Sequence, residues 1–317
     1  MSPYPASAFR GDPGFRQRGV AALTAILMVA LATVIAVSLV WENHLDRRRT
    51  GSLLASDQAL MFALGAEAWA ADILVADLQN TATDHLGEPW AMPLPPLPVE
   101  GGELAGVIED MQGRFNINNL VTLDGSANPL GVQQFERLLE ALGLDLKWAQ
   151  IAVDWLDRDI DEGFPSGAED DVYTGLRVPY RAANRPLTSV SELMALVEMD
   201  RETFELMRPH IAALPIGSRI NVNTATAPVL QSLSEAIGSS EATSLIESRG
   251  DTGFPDYLGA FGSLVDPAVL QTLSETTDYV RMTARVSIGT SLLTMYSLLQ
   301  RSTAGTVTPL LRSFGTD

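Results

Sequence analysis

The sequence predicts an α+β protein with a long amino-terminal transmembrane helix, a small antiparallel β-sheet and a large α-helical domain inserted into that sheet. Three observations along the 317 residues support this class. Residues 19–41 contain no charged side chain, residues 113–278 carry mostly helical patterns, and residues 279–317 include an alternation of apolar and polar side chains. Helices and strands that occupy separate parts of a chain are typical of the α+β class.

The uncharged run lies between Arg18 and Glu42 and spans twenty-three residues. About 20 helical residues are enough to cross the hydrocarbon core of a bilayer, so residues 20–41 are predicted to form a transmembrane helix. A cleaved signal peptide has a shorter apolar region followed by small residues, whereas Trp41, Glu42 and Asn43 follow this run. The helix is therefore expected to remain in the mature protein. Arginines lie on both sides of the run, so charge alone leaves its orientation undecided.

Residues 42–112 are predicted to hold an amphipathic helix and the first strand of the sheet. Apolar side chains recur mostly at steps of three and four over 53–78, and charged residues fall between them. Only Gly51 favours a break before this helix, so it can continue the transmembrane helix as one long helix. The proline-rich stretch 89–98 is expected to end the helix, and a short strand is predicted over 103–110.

The inserted domain is predicted over 113–278 and contains six helical segments. They cover residues 132–142, 147–156, 189–197, 201–213, 227–236 and 240–249. Ser189 and Glu192 fit a capping box, in which a hydroxyl accepts an amide hydrogen bond and the glutamate accepts one in return. The block that starts Asn221-Val222-Asn223 has an earlier echo in Asn116-Ile117-Asn118. Two related helix-hairpin-helix-like units are therefore expected in this domain.

Residues 279–317 are predicted to return to the sheet. Apolar and polar residues alternate over 280–288, which is the period of a half-buried strand. Gly289-Thr290 fits a turn into a second strand over 292–299, and a last strand is predicted over 307–311. Strands at both ends of the ectodomain with helices between them predict the sheet with its insertion.

The composition argues against an enzyme. The three histidines, His44, His85 and His210, are far apart in the sequence and match no metal-binding or nucleophile-base spacing. The sequence has no glycine-rich phosphate motif, and the absence of cysteine rules out disulfides and thiolate metal sites. With 46% apolar residues the ectodomain can bury its own core. The net charge of −18 makes its surface unfavourable for nucleic acid.

One acidic cluster, between Asp154 and Asp171, stands out from the general acidity. It holds eight carboxylates, with Arg158 as the residue of opposite sign. A hard divalent cation such as calcium, which takes six to eight oxygen ligands, would relieve the repulsion among them. The spacing is not that of an EF-hand, because the glycine falls one place late at Gly163 and Ala168 occupies the twelfth position.

The second half of this cluster contains Gly163, Pro165 and Gly167, which let the chain turn back. Such a turn would bring Glu169 and Asp170 toward the preceding aspartates. A solvated acidic loop without any ion is the alternative interpretation.

The Asn221 block and the helices after it resemble a helix-hairpin-helix, a module that many proteins use to grip DNA backbones. DNA-binding hairpins are surrounded by basic side chains, because phosphate neutralisation supplies most of their affinity. Here Glu235, Glu241 and Glu247 lie nearby, and Arg249 is the basic residue of the hairpin. A membrane-anchored DNA receptor is therefore the alternative function, and structural use of the same helical unit is favoured. An anchored periplasmic hydrolase is a third hypothesis.

Several stretches of the chain together resemble one known family. The first is similar to a type IV prepilin cleavage junction and reads Arg18-Gly19-Val20-Ala21-Ala22-Leu23-Thr24. The others lie in the ectodomain and read Asp110-Met111-Gln112-Gly113-Arg114-Phe115-Asn116-Ile117-Asn118, Asp154-Trp155-Leu156-Asp157, Gly167-Ala168-Glu169-Asp170, Pro179-Tyr180-Arg181-Ala182-Ala183-Asn184 and Pro186-Leu187-Thr188-Ser189-Val190-Ser191-Glu192-Leu193. On these residues the chain resembles the minor pseudopilin K family of bacterial type II secretion systems.

The resemblance implies a processing site and a location. Prepilin peptidase would cut after Gly19 on the cytoplasmic face, removing residues 1–19 as a leader, and would methylate the new amino terminus at Val20. The helix would then cross the inner membrane once, with the carboxyl-terminal domain in the periplasm. Most pilins and pseudopilins carry a glutamate five residues after the cut, where this chain has Thr24. Because a carboxylate in the bilayer needs a partner on a neighbouring subunit, its replacement fits a subunit at the filament tip.

The resemblance also implies a function and partners. Members of the family have the pseudopilin fold, in which a long helix packs on a small sheet with an inserted α-helical domain. They are structural, non-catalytic subunits that form a tip complex with minor pseudopilins I and J, start pseudopilus assembly and support export of folded proteins across the outer membrane. Contacts with other pseudopilus and inner-membrane secretion components, and with secreted cargo, are expected on the same ground.

Calcium in the helical domain is the last property that the resemblance implies. Carried over to the acidic loop of this chain, it assigns a structural calcium ion to five carboxylates, namely Asp157, Asp159, Asp161, Glu169 and Asp170.

Overall fold

The computed structural model describes residues 14–254, 256–302 and 304–315. The chain divides into two compact units, residues 1–57 and 58–317. The first thirteen residues of the predicted leader lie outside the described residues.

Nine helices and nine strands occur within the described residues. The helices are α1 (Gly14–Asn80), α2 (Pro129–Leu142), α3 (Lys147–Leu156), α4 (Asp170–Thr174), α5 (Arg201–Met207), α6 (Ala227–Gln231), α7 (Ser239–Arg249), α8 (Tyr257–Phe261) and α9 (Pro267–Leu270). The strands are β1 (Leu94–Val99), β2 (Gly102–Asp110), β3 (Phe115–Asn116), β4 (Ile211–Ala212), β5 (Ile220–Asn221), β6 (Leu273–Ser274), β7 (Tyr279–Ile288), β8 (Ser291–Arg301) and β9 (Val307–Phe314). Four short 3-10 helices cover Pro89–Ala91, Ile117–Leu120, Val190–Ala195 and Arg208–His210.

Helix α1 is one continuous helix, as predicted, and Gly51 does not interrupt it. A side chain at Gly51 would meet nothing within 4 Å, so this glycine serves no close packing contact in the structure. In the first unit, the apolar side chains between Val20 and Trp41 are exposed. Among the described residues, α1 is the helix that is long and apolar enough to cross a membrane, and its most apolar stretch is not buried. Exposed apolar surface of this length fits a lipid environment.

In the second unit, α1 packs one face on the sheet. Ala59, Ala63, Ala70 and Leu74 are buried at helical spacing. Glu67 lies on the same face and accepts a hydrogen bond of 2.6 Å from the Ser297 hydroxyl on β8.

The main sheet has five strands in the order β1-β2-β7-β8-β9, and every neighbouring pair is antiparallel. The alternation predicted after Tyr279 is confirmed, since every second side chain of β7 is buried. Gly289 has φ +57°, which suits the tight turn between β7 and β8. The last strand extends to Phe314, three residues beyond the predicted end.

The proline-rich stretch was expected to end the helix, and this expectation was wrong. Helix α1 already ends at Asn80, nine residues before Pro89, and Pro95, Pro96 and Pro98 lie in edge strand β1, which pairs with β2. Proline cannot donate a ladder hydrogen bond, and an edge strand tolerates this because one of its sides has no partner strand. The β1 register shifts between Leu94 and Leu97.

The inserted domain lies between β2 and β7 in the chain and has its own apolar core around Phe115, Phe135, Leu138 and Tyr173. Several of its helices are shorter than predicted. The segment 201–213 divides into α5, a 3-10 turn and strand β4, because Pro209 cannot continue an α-helix. The segment 189–197 is a 3-10 helix, and the predicted capping box of Ser189 and Glu192 is present.

The two asparagine blocks begin in the same way. Asn116 ends strand β3, which pairs in parallel with β4, and Asn221 ends strand β5, which pairs in parallel with β6. In each block the first asparagine side chain accepts a hydrogen bond from the backbone of the second, Asn118 or Asn223. These two-residue strands were not predicted, since such short segments carry no periodic signal.

Candidate metal centre

The acidic loop follows helix α3 and returns to helix α4. Asp154 lies in the last turn of α3, and Asp157 is the residue at which that helix ends. Most of α3 is buried in the core of the inserted domain, so both carboxylates start from a rigid support. Glu169 immediately precedes α4 and therefore closes the loop on the other side.

Asp154 organises the loop, although it was not predicted as a site residue. Its Oδ2 accepts hydrogen bonds from the backbone nitrogens of Gly163 at 3.0 Å and Ala168 at 2.8 Å. Its Oδ1 accepts one from Gln150 at 3.2 Å. The carboxylate is buried, and backbone donors replace the water that it loses. The turn predicted from the glycines is therefore confirmed, with Asp154 as its centre.

Glycine is required at position 167 because the Asp154 carboxylate and the Gly163 backbone lie close to it. A Cβ atom at this position would lie 2.1 Å from Asp154 Oδ2 and 2.3 Å from the Gly163 nitrogen. No side chain fits there without displacing the carboxylate that holds the loop.

Three of the five predicted ligands converge. Asp157, Asp159 and Glu169 each offer a carboxylate oxygen, and these atoms all lie within 4.8 Å of one another. Asp157 is 5% exposed and Glu169 is 2% exposed, whereas Asp159 faces solvent. Asp157 Oδ1 and both carboxylate oxygens of Glu169 have no hydrogen-bond partner within the described part of the chain. Buried carboxylate oxygens without donors are costly unless a cation or a proton compensates them.

The titration behaviour follows from this geometry. Burial raises the pKa of Asp157 to about 7, and the nearby carboxylates of Asp159 and Asp154 contribute in the same direction. Burial also raises the pKa of Glu169 to about 7, together with the charges of Asp154 and Asp157. In both groups the ionised form is disfavoured, which is the condition that a bound cation would relieve.

The other two predicted ligands lie outside the converging group. Asp161 is exposed, and its backbone nitrogen donates to Asp159 Oδ1 at 3.0 Å. Asp170 Oδ1 accepts from the Ala182 nitrogen at 3.1 Å, and its Oδ2 lies 3.7 Å from Arg181. The Asp170 carboxylate already has partners of its own because α4 begins at this residue and turns it away from the loop centre, and the exposed Asp161 enters the group only through its backbone nitrogen.

Asn184 is a residue beside this group that the sequence reasoning missed. Its Nδ2 donates to the Asp159 carbonyl at 2.8 Å, and its backbone nitrogen donates to the Trp155 carbonyl at 3.0 Å. Its Oδ1 has no hydrogen-bond partner among the described residues. The available signal was the stretch that ends at Asn184, which was noted for its family resemblance only.

The donor set fits a hard divalent cation. All candidate ligands are oxygen atoms from carboxylates or an amide, and calcium takes oxygen ligands of these types in flexible geometry. Thiolate and imidazole ligands, which softer metals prefer, are absent from the group. A structural ion here would hold together the end of α3, the loop and the start of α4.

The predicted processing residues lie in α1. A side chain at Gly19 would meet nothing within 4 Å, and Val20 is exposed. The Thr24 hydroxyl donates to the Ala21 carbonyl at 3.0 Å within the same helix. Its polar group is thus satisfied locally, as a polar group in a bilayer must be.

The helix-hairpin-helix region gives Arg249 a structural role. This guanidinium is buried and donates to the carbonyls of Val222 and Ala225, both at 2.8 Å. It holds the asparagine block against α7 and is committed to these backbone contacts.

Comparison with known proteins agrees with this architecture. Sequence profiles of the family described as type II secretion system (T2SS), protein K, match residues 113–216 and 220–274. The type II secretion system protein K of Pseudomonas aeruginosa is 36% identical over 313 residues, which is 94% of this chain and 93% of that relative. The chain belongs to the type II secretion system protein K family.

Other members of the protein K family match in the same way. The type II secretion system protein K of Pectobacterium carotovorum is 36% identical over 256 residues, covering 75% of this chain and 77% of the relative. The fold also matches one chain of the crystal structure of the GspK-GspI-GspJ complex from enterotoxigenic Escherichia coli. That match has a TM-score of 0.76 and 28% identity, and it covers 85% of this chain and 100% of the solved chain. The protein K resemblance seen in the sequence and the predicted α+β pseudopilin fold are both confirmed.

Proposed function

We propose that this protein K family member is a minor pseudopilin at the tip of the type II secretion pseudopilus. There it starts pseudopilus assembly and supports export of folded proteins across the outer membrane. The observation that carries the proposal is the match to a chain of the GspK-GspI-GspJ complex over 85% of this chain. A long apolar helix joined to a sheet with a helical insertion supplies both an anchor and a bulky head, and no catalytic role is part of the proposal.

The partners proposed on this ground are minor pseudopilins I and J. Other pseudopilus and inner-membrane secretion components, and secreted cargo, are further proposed partners. The test is to co-express the full chain with its cognate I and J subunits, solubilise the membranes and purify through a tag on this chain. A complex with all three subunits is expected in size exclusion, and separate elution of I and J would contradict the proposal.

We further propose that the protein is a prepilin peptidase substrate in the inner membrane with its carboxyl-terminal domain in the periplasm. Cleavage after Gly19 and methylation of Val20 would produce the mature chain. Mass spectrometry of the purified protein should show an amino-terminal N-methylvaline at position 20.

The matched variants for processing are Gly19→Leu and Gly51→Leu. Both glycines lie in α1, and a side chain at either position would meet nothing within 4 Å. Gly19→Leu should therefore block cleavage through recognition alone, whereas Gly51→Leu should be processed normally. Normal cleavage of Gly19→Leu would refute the assignment of the junction.

The tip position is supported by Thr24. Its hydroxyl is satisfied within α1, so this subunit does not need the amino terminus of a neighbour to neutralise a carboxylate in the bilayer. Thr24→Val should retain secretion, and Thr24→Glu should reduce it because the new carboxylate has no subunit above it. Secretion by Thr24→Glu at the wild-type rate would count against the tip position.

We also propose that the acidic loop binds a structural calcium ion through Asp157, Asp159 and Glu169. The support is the convergence of their oxygens within 4.8 Å and the unpartnered buried oxygens of Asp157 and Glu169. Calcium added to the detergent-solubilised full chain at about 100 times its dissociation constant should stabilise it by about 2.7 kcal/mol. Glu169→Gln should abolish this response, and the exposed Asp171→Asn should retain it. An unchanged melting temperature after chelation would exclude the calcium site.

The DNA-receptor alternative is disfavoured by the burial of Arg249 and by the acidic residues around the hairpin. Binding of duplex DNA that weakens with salt would revive it. Electrophoretic mobility of a labelled duplex is expected to be unchanged by the full chain.

A further inference from the structure

A second group of carboxylates, separate from the acidic loop, lies at the end of α1 and in the segment that follows it. Asp77, Asp84 and Glu88 each offer one carboxylate oxygen, and these atoms lie within 4.8 Å of one another. All three residues are buried, with exposures of 9%, 3% and 2%. Buried carboxylates at such distances require compensation.

Arg301 on β8 supplies part of that compensation. Its Nη1 donates to Asp77 Oδ2 at 3.0 Å, and its Nη2 donates to Asp84 Oδ2. Its Nε and Nη2 also donate to the Thr277 carbonyl, at 3.1 Å and 2.8 Å. The guanidinium is thus committed to two aspartates and one carbonyl. One positive charge faces three carboxylates, which leaves a net charge of −2 when all three are ionised.

Glu88 carries the independent observation that points to a bound ion. Its Oε2 accepts hydrogen bonds from Trp90 Nε1 at 2.6 Å and from the backbone nitrogen of His85 at 3.0 Å. Its Oε1 is buried and has no hydrogen-bond partner in the part of the chain that the structure describes. The nearest cationic candidate is His85 Nε2 at 3.8 Å, which is too long for a hydrogen bond.

The His85 ring does not close this gap. Its Nδ1 accepts a hydrogen bond from the Gly87 nitrogen at 3.3 Å, so the neutral ring carries its hydrogen on Nε2. That hydrogen lies beyond bonding distance of Glu88 Oε1. The glutamate is therefore fixed through Oε2, while its buried Oε1 has no donor.

We propose that Asp77, Asp84 and Glu88 form a second cation site, which takes a hard divalent ion such as calcium or magnesium. The ligands are carboxylate oxygens only, which suits these ions and disfavours softer metals. The ion joins the end of α1 to the segment after it, and Arg301 links the same group to β8. Asp84 extends the link to the inserted domain, because its carbonyl accepts from Asn221 Nδ2 at 3.1 Å. The site therefore fastens three parts of the second unit to one another.

The experiment uses the detergent-solubilised full chain with Asp157→Asn and Glu169→Gln, so that the acidic loop cannot contribute. Terbium(III), a hard ion that replaces calcium and emits when a nearby indole is excited, is the probe. Trp90 lies against Glu88, so an ion at this site should give tryptophan-sensitised emission. Added calcium should displace terbium and so reduce the emission, and native mass spectrometry should detect one bound calcium ion.

The variants locate the ion. Glu88→Gln keeps an oxygen that can accept from Trp90 but removes one ligand charge, and it should weaken terbium binding by about tenfold or more. The exposed Glu100→Gln is the matched control and should bind as the background chain does. Trp90→Phe should lower the emission and leave the calcium stoichiometry unchanged.

Two results would overturn the site. One is the absence of both sensitised emission and a bound calcium ion in the background chain, which would mean that a proton alone compensates the group. The other is equal terbium affinity in Glu88→Gln and Glu100→Gln, which would place the ion elsewhere. The stoichiometry of the background chain decides the question even if Glu88→Gln fails to fold.

Discussion

The substitution Gly167→Ala tests the organisation of the acidic loop most directly. The new Cβ would lie 2.1 Å from Asp154 Oδ2, which is closer than carbon and oxygen atoms can approach. Asp154 Oδ2 must therefore move, which breaks the hydrogen bonds that it accepts from the backbone nitrogens of Gly163 and Ala168. The loop then no longer brings Glu169 to Asp157.

The size of the effect follows from these two bonds. A hydrogen bond to a charged group contributes about 1.5–3 kcal/mol. Because water can replace part of the loss in a loop, we expect Gly167→Ala to lower the free energy of unfolding by about 3 kcal/mol. For domains of about 150–250 residues this corresponds to a fall in melting temperature of roughly 6–12 °C.

The assay is thermal unfolding of the detergent-solubilised full chain, followed by circular dichroism with and without calcium. Gly175→Ala is the matched control, since Gly175 follows the same loop in an ordinary helical conformation and its Cβ would meet carbonyl oxygens only at 3.4 Å. This control should stay within about 0.5 kcal/mol of wild type. If Gly167→Ala unfolds with the control and keeps its calcium response, the account of Asp154 as the centre of the loop is wrong.

Three further predictions follow from the buried charges and the sheet. Without a divalent cation, the free energy of unfolding should fall as the pH rises from about 4 to above 7. The pKa values of Asp157 and Glu169 are raised to about 7 in the folded state, so over this range the folded chain still binds protons that the unfolded chain has already released. Calcium should therefore stabilise the chain more at pH 8 than at pH 5, and equal increments in thermal melts at both values would contradict this. Arg301→Met should cost about 3–5 kcal/mol because it leaves Asp77 and Asp84 buried without their partner, whereas the exposed Arg201→Met should be nearly neutral in urea unfolding. Gly102→Ala should lower the melting temperature, because the new Cβ would lie 1.7 Å from the Ser287 carbonyl oxygen on β7. Gly106→Ala on the same strand is the control and should have little effect, because its Cβ would lie 3.5 Å from the nearest atom. Similar melting temperatures for these two variants would contradict the register of β2 and β7.

Much of the fold could be predicted from local patterns. The uncharged run, the amphipathic helix and the alternating strand after Tyr279 each carry a period that a few neighbouring residues reveal. The patterns failed where context overrides propensity. Prolines argue against a strand, yet β1 exists because only one of its edges must pair. The segment after Arg201 reads as one helix, but Pro209 divides it.

The candidate metal centre was partly predictable for a related reason. Its carboxylates are close in sequence, so their density was visible, and Asp157, Asp159 and Glu169 do converge. Which of the five would converge depended on where α3 ends and α4 begins, because a helix start at Asp170 directs that side chain elsewhere. The organising role of Asp154 also required the folded loop, since its donors are backbone nitrogens.

The sequence by itself determined the membrane-spanning length of the first helix, the strands β2, β7, β8 and β9 on either side of a helical insertion, the family, and the acidity of the loop, because each of these depends on residues that are near one another along the chain. Tertiary structure alone decided which buried carboxylates are compensated by the same positive charge. Asp77 meets Arg301 across 224 positions of sequence, and no local pattern links them. The physical reason is that compensation of a buried charge depends on distance in space and on exclusion of water, and both arise only when the helix, the sheet and the inserted domain have packed.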